Sequence, residues 1–175
     1  MGLHPLFVDI LERQMRALWR IRVGMLLFVL AVSLAGFLLP APEGWLPART
    51  VCLCEIGLGG LSVALLLAAL LALRRLGDAG RVARADADEL RGYGLPEGLD
   101  LALSRQAVFL TRASAGRVLA WGLSTSTGIS GLVCRMLGSP MWVAALFFAV
   151  ALGVLLSLRL PSASLRHMLE NLGGN

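Results

Sequence analysis

Lysine is missing altogether, and most other residues that carry chemistry are scarce: 11 Asp and Glu, two His, three Cys and one Tyr in 175 residues. Each scarcity excludes something. His4 and His167 lie in opposite tails, and no second ligand stands three or four residues from His167, so no histidine-based metal or acid–base centre can be drawn. No GxGxxG, nucleophile elbow or HExxH occurs, and internal repeats and low-complexity stretches are also absent. The chain therefore reads as a non-enzyme, with no catalytic residue, no cofactor and no metal.

What is present is apolar. Hydrophobic residues make up 57% of the chain and charged ones 15%, with a mean hydropathy of +0.77, far from the balance of a soluble domain. That composition implies a membrane protein. All sixteen basic residues are Arg, a replacement spread evenly enough to reflect the codon bias of a GC-rich genome. A pI near 10.4 raises the question of nucleic acid, but most arginines flank apolar runs, where lipid headgroups meet them first, and no nucleic-acid motif accompanies them. No nucleic-acid partner is expected.

A spanning helix needs roughly 20 apolar residues. Four segments qualify: 23–39, charge-free and closed by Pro40 and Pro42; 51–73, with Glu55 as its one charge; 118–134, which holds five hydroxyl side chains between Arg117 and Arg135; and 141–158, uniformly apolar and closed by Arg159 and Pro161. With the N-terminus cytoplasmic, fourteen of the sixteen arginines fall inside and only Arg49 and Arg135 outside, which is the positive-inside pattern. Trp45 and Trp142 then sit at the outer interface. A 22-residue lead with four Arg is long for a signal peptide, and Pro40 and Pro42 spoil a cleavage site, so the first span reads as an uncleaved anchor.

The fold class expected is thus an all-α membrane protein of four transmembrane helices, a single domain over 1–175 in a bacterial inner membrane, with both termini cytoplasmic. Segment 1–22 is amphipathic, with Leu6, Phe7, Ile10, Leu11, Met15, Leu18 and Trp19 at helical spacing among charges; it serves either as a docking surface or as a helix lying on the inner leaflet. Segment 162–172 repeats the pattern, with Ser162 as N-cap, Leu165, Met168, Leu169 and Leu172 on one side and Gly173 as the stop. The cytoplasmic loop 74–117 reads as two helices broken at Gly92, Gly94 and Pro96, the second running on into the third span. Its first half balances Asp86, Asp88 and Glu89 against Arg81, Arg84 and Arg91, which speaks against DNA binding.

Candidate site residues lie in the second and third spans. Wound on a helix, Ser124, Thr127, Gly128 and Gly131 form a polar, small-residue seam, either for close packing with interhelical hydrogen bonds or as a pathway for a small solute. Around the motif RTVCLCEIGLGG, Cys52, Glu55, Gly59, Ser62 and Ala69 share one face, while Cys54 falls on the other. Cys52 and Cys134 begin and end their spans at the same expected depth and are candidates for a disulfide in an oxidising periplasm. Glu55 and Arg135 are candidates for an ion-pair clamp, the other reading being that each reaches the headgroups.

Two resemblances follow from these residues. With four spans and CLCEIG at the head of span two, the chain resembles the quinone-linked four-helix thiol oxidases of bacterial inner membranes, which implies a thiol-disulfide activity; it departs from them in having CxC for CxxC and no cysteine pair between the last two spans. PEGWLPAR before span two and RRLGDAGRV after it resemble, more loosely, the small four-helix subunits of tripartite periplasmic transporters, although the acidic residues expected after the Trp are absent. The functional expectation is a partner-binding or structural subunit of a membrane assembly such as a transporter, a secretion machine or a toxin-neutralising complex, with the bilayer and a membrane protein or a second copy as partners. A small transport or channel subunit using the seam, and a thiol oxidoreductase, are the alternatives.

Overall fold

The computed structural model describes residues 5–40, 46–85, 92, 100–158, 167 and 169, with side chains from Val8 onward. Among these residues the chain is helical throughout, with no strand. Four long helices and one short one follow in order: α1 Pro5–Leu38, α2 Ala48–Leu76, α3 Ala79–Ala83, α4 Leu101–Met136 and α5 Met141–Ser157.

Proline and glycine set the boundaries. Pro5 occupies the first position of α1, where its missing N–H costs nothing, and Pro40 ends the helix because the residue before a proline avoids the α region. Where segments 1–22 and 23–39 join, Gly24 weakens the helix by roughly 1 kcal/mol, too little to separate them, and they merge into one 34-residue rod. After α2, the Gly77 N–H returns to the Leu73 carbonyl at 3.0 Å, and Asp78 caps α3 by accepting from the N–H groups of Gly80 and Arg81 at 3.0 and 3.3 Å. As the sequence suggests, the third apolar segment extends back into the preceding loop, so that α4 runs for 36 residues. The chain reverses between α4 and α5 at Gly138, whose φ of 92° suits glycine. There Ser139 N–H donates to Cys134 O at 3.0 Å and Gly138 N–H to Arg135 O at 3.1 Å, the bond pair of a Schellman motif. The expected helix 162–172 lies outside the described residues apart from His167 and Leu169, both helical; the expected bend at Gly94 and Pro96 and the charges of 86–91 lie outside them too.

Where the sequence reads as one domain, the chain divides into two compact units. The first comprises the described residues of 1–20, 72–117 and 160–175. Its core is apolar: Val82, Ala85, Val108, Phe109, Leu110, Ala113 and Leu169, with Leu11 and Met15 packed against it. Leu18 is buried as well, while Ile10 and Trp19 remain exposed. Three residues of the apolar stripe of segment 1–22, Leu11, Met15 and Leu18, are thus used within their own chain, whereas Ile10 and Trp19 stay at the surface; burying the first three on a ready core removes their area from the surroundings. Gln106 ties the tail to this core by donating to the Leu169 carbonyl at 2.8 Å. Arg13 pairs with Asp9 at 2.8 Å on the surface, an i,i+4 contact worth about 0.3–0.5 kcal/mol.

The second unit comprises the described residues of 21–71 and 118–159. Its interior is unusually hydroxylic. Ser33, Ser62, Ser124, Thr127, Ser130 and Ser139 are buried beside Val29, Trp121, Phe148, Ala151 and Leu155. Its outside carries Leu27, Phe28, Leu30, Leu34 and Phe37 on α1, and Leu53, Ile56, Leu61, Leu67, Leu70 and Leu71 on α2. The stretches Val8–Leu38 and Ala48–Ala83, whose most apolar 18-residue windows have mean hydropathies of 2.3 and 2.5, are long and apolar enough to cross a membrane. α5 is apolar but has only 17 residues.

In both units arginines cap the C-terminal ends of other helices. Arg22 on α1 donates to Leu155 O from Nε at 3.3 Å and from Nη2 at 3.2 Å, and to Leu156 O at 3.2 Å, at the end of α5. Arg135 reaches Leu39 O past the end of α1 at 3.3 Å, Arg112 reaches Arg75 O near the end of α2 at 3.4 Å, and Arg105 reaches Ala85 O past α3 at 3.3 Å. Helix C-termini leave carbonyls without intrahelical donors and carry partial negative charge, so a cation that also donates answers both needs.

Truncating the centre of the first unit is expected to be costly. Phe109→Ala should lower stability by roughly 3–5 kcal/mol, read as a fall in thermal midpoint in mild detergent, because Phe109 is almost completely buried and the void has no side chain ready to fill it.

Candidate functional site

The residues singled out at the start of α2 and the end of α4 all belong to the second unit. Cys134 is fully buried with Val143 and Phe147, and Leu58 of α2 packs against this cluster. The two helix ends expected to meet therefore do meet, but along a partly different line. Cys54, Glu55, Leu58, Ser62 and Ala69 are among the α2 residues that are partly or fully buried, whereas Cys52 is exposed. The inward face keeps Glu55, Gly59, Ser62 and Ala69 of the one that the small and polar residues suggested, leaves out Cys52 and takes in Cys54 and Leu58. Burying Leu58 outweighs burying Cys52, since the larger apolar side chain removes more surface from water or from a polar boundary.

Three of the sequence expectations are corrected here. All three cysteines carry free thiols, so the Cys52–Cys134 bridge is not formed; α2 turns Cys52 outward, away from the buried Cys134. Glu55 and Arg135 form no ion pair. The Arg135 fork is committed to two carbonyls instead, donating from Nη1 to Ser139 O at 3.4 Å and from Nη2 to Leu39 O at 3.3 Å. Leu39 lies just beyond α1, where no backbone donor follows in the helix, so its carbonyl competes well for the guanidinium.

The third correction concerns the seam. Ser124 Oγ donates to Ala120 O at 2.8 Å and Ser130 Oγ to Ser126 O at 3.1 Å, each to the carbonyl one turn back in α4; Thr125 and Ser126 do the same at 2.9 and 3.1 Å. The expected interhelical hydrogen bonds are not made by these hydroxyls. Thr127 Oγ1 and Trp121 Nε1 are buried with no hydrogen-bond partner among the described residues. The glycines do what small residues at an interface do. A Cβ on Gly131 would lie 2.8 Å from Phe147 Cβ and 3.0 Å from Ala144 O, and one on Gly128 would lie 3.4 Å from Val29 Cγ1 and 3.5 Å from Ala151 Cβ. The seam is therefore the surface on which α5 and α1 close against α4.

Arg117, in the first unit, donates to Ala113 O at 3.2 Å; burial pushes its guanidinium down from the ordinary arginine value, from so high a start that it stays protonated. No group of three or more His, Cys, Asp or Glu among the described residues could hold a metal ion. Comparison with known protein families, curated proteins and solved structures yields no match to this chain.

Sequence reasoning missed Arg22, Arg105 and Arg112 as carbonyl donors and Leu58 as the α2 contact to Cys134. The helix ends offered a signal for the first three. Every C-terminus without a capping side chain of its own needs a donor, and in this chain the abundant donor is arginine.

A double-mutant cycle separates the two roles of Arg135. Arg135→Gln should cost about 1–2 kcal/mol of stability in mild detergent, Glu55→Gln should be near neutral, and the two should add. A coupling above about 0.5 kcal/mol would restore the clamp. In the seam, Gly131→Leu should strongly destabilise the fold by driving a side chain into the α5 backbone, whereas Gly122→Leu, with nothing within 4 Å of its Cβ position, should be tolerated in the same thermal assay.

Proposed function

We propose that the chain is a multi-pass inner-membrane protein of four spans, with both termini cytoplasmic, acting without catalysis as a partner-binding or structural subunit of a membrane assembly. The observation that carries this reading is the contrast between the two units. The first has the apolar interior of a water-solvated body. The second buries serines and a threonine while presenting leucines, isoleucines and phenylalanines outward, on a scale that soluble surfaces rarely tolerate. Only 17% and 11% of the most apolar stretches in α1 and α2 are buried, which favours lipid over the core of a soluble fold as their surroundings. At 1.5 Å per residue α1 and α4 are about 50 Å long, more than the roughly 30 Å of bilayer hydrocarbon, which leaves each a polar-flanked portion outside.

Two observations weigh against the alternatives. A solute pathway along Ser124, Thr127, Gly128 and Gly131 is disfavoured because α1 and α5 side chains fill the space over the glycines. A thiol oxidoreductase is disfavoured because Cys52 is turned outward while the thiol of Cys134 is fully buried, out of reach of a reacting sulfur. A subunit role is favoured by the breadth of apolar α2 surface that the chain leaves uncovered, which a second membrane protein or a second copy would share with lipid.

Topology and partnership are separately measurable. In intact cells a membrane-impermeant maleimide should label Cys52, and should label a Gly92→Cys variant of a cysteine-free background only after permeabilisation. The opposite pattern would invert the topology, and full extraction by alkaline carbonate would end the membrane reading. Purified in mild detergent, the chain should co-elute in fixed stoichiometry with a second membrane protein or with itself; a lone 18.6 kDa monomer would contradict the subunit role.

A further inference from the structure

One face of α1 carries more positive charge than its ion pairs among the described residues neutralise. Arg13, Arg16 and Arg20 stand at i, i+3 and i+7, on one side of the helix, and with the small side chain of Ala17 they border an open cavity of about 310 Å³. One water needs only about 10–15 Å³ of such space, so a phosphate group with part of its hydration shell fits. Three like charges at this spacing repel one another. One carboxylate, Asp9, offsets one of them through Arg13, in an exposed pair that a stronger anion would displace. The Arg16 Nε is held by the Glu12 carbonyl at 3.4 Å, which orients its terminal nitrogens, and Arg20 has no partner among the described residues. Guanidinium forks present paired donors matched to phosphate oxygens. Trp19, 59% exposed beside Arg20, offers the amphipathic ring found at headgroup level in membrane proteins.

We propose that this cavity is a phosphate-binding site whose ligand is the phosphate of an anionic phospholipid headgroup. The chemistry, a phosphate held by three guanidinium groups, stands on the cavity alone. The lipid source rests on the membrane reading above, since it requires the site to lie just cytoplasmic of the first span, where basic clusters meet anionic lipid.

The test is calorimetric titration of the purified full chain in a neutral maltoside detergent with short-chain phosphatidylglycerol, short-chain phosphatidylcholine and inorganic phosphate. Phosphatidylglycerol should bind about tenfold more tightly than phosphatidylcholine and weaken as salt is raised. R13Q/R16Q/R20Q should lose about tenfold in affinity, while R74Q/R75Q changes it by less than about twofold. Competition by inorganic phosphate at comparable concentration would support the site and assign it to a soluble phosphate ester; absence of competition would support the site and assign it to lipid. Unchanged phosphatidylglycerol binding by the triple variant, with its helicity intact by circular dichroism, would overturn the proposal. So would a wild-type chain that neither prefers phosphatidylglycerol nor binds phosphate. Should the triple variant lose helicity, the single change R20Q, which breaks no bond among the described residues, should still weaken binding about threefold, and no change there would equally overturn it.

Discussion

Helix C-termini are the constraint around which this chain is organised. Each of the five helices among the described residues ends in carbonyls without intrahelical donors, and a buried or lipid-facing carbonyl left unmet is costly. α4 meets its own need through the Gly138 turn, with the N–H groups of Gly138 and Ser139 returning to Arg135 and Cys134. The ends of α1, α2, α3 and α5 receive an arginine from another helix: Arg135, Arg112, Arg105 and Arg22 in turn. The guanidinium suits the task because its fork can serve two carbonyls at once, as Arg22 does at Leu155 and Leu156 and Arg135 does at Leu39 and Ser139. A lysine would offer a single point of charge. These bonds also fix which helices are neighbours within each unit, because a donor near one helix end must stand beside another.

The same economy governs the interior of the second unit. Several of its hydroxyl side chains are satisfied within their own helix: Ser33 donates to Val29 O at 2.7 Å, as Ser124 and Ser130 do one turn back in α4. Such residues are small and self-contained, so they let backbones approach without demanding partners across the interface. Gly36, Gly128 and Gly131 extend this, leaving room for Phe148, Val29 and Phe147. Close packing of small groups, rather than burial of large apolar ones, is how helices associate where the surroundings are as apolar as leucine. This is consistent with the outward leucines of α1 and α2 and with the proposed membrane setting.

Much of the helical plan was legible. Pro40 and Arg135 mark ends that the structure keeps, and the continuation of the loop into α4 followed from Leu103, Val108 and Phe109. The site was legible only in outline. That the ends of α2 and α4 approach was readable from Cys134 and Glu55, and most of the inward face of α2 was readable too, but that it takes in Leu58 and leaves out Cys52 depended on Val143 and Phe147, against which Leu58 packs. Arg135 was misassigned because a carboxylate is the obvious partner for an arginine in a sequence, where backbone carbonyls, present at every residue, leave no mark. Segment 1–22 was legible only in part for a related reason: its apolar stripe was plain, but the surface made by Phe109 and Leu169, against which Leu11 and Met15 pack, comes from residues about 90 and 150 positions away.

The most direct test of interhelical arginine capping is at Arg22, which serves α5. Arg22→Gln and Arg49→Gln make the same chemical change, but Arg22 holds the end of α5, whereas Arg49 is exposed at the start of α2. Amide hydrogen exchange in mild detergent over residues 150–157 should show the last turn of α5 losing protection about tenfold or more in Arg22→Gln, at about 1.4 kcal/mol per tenfold, with no change in Arg49→Gln. Equal protection in the two variants would contradict the account.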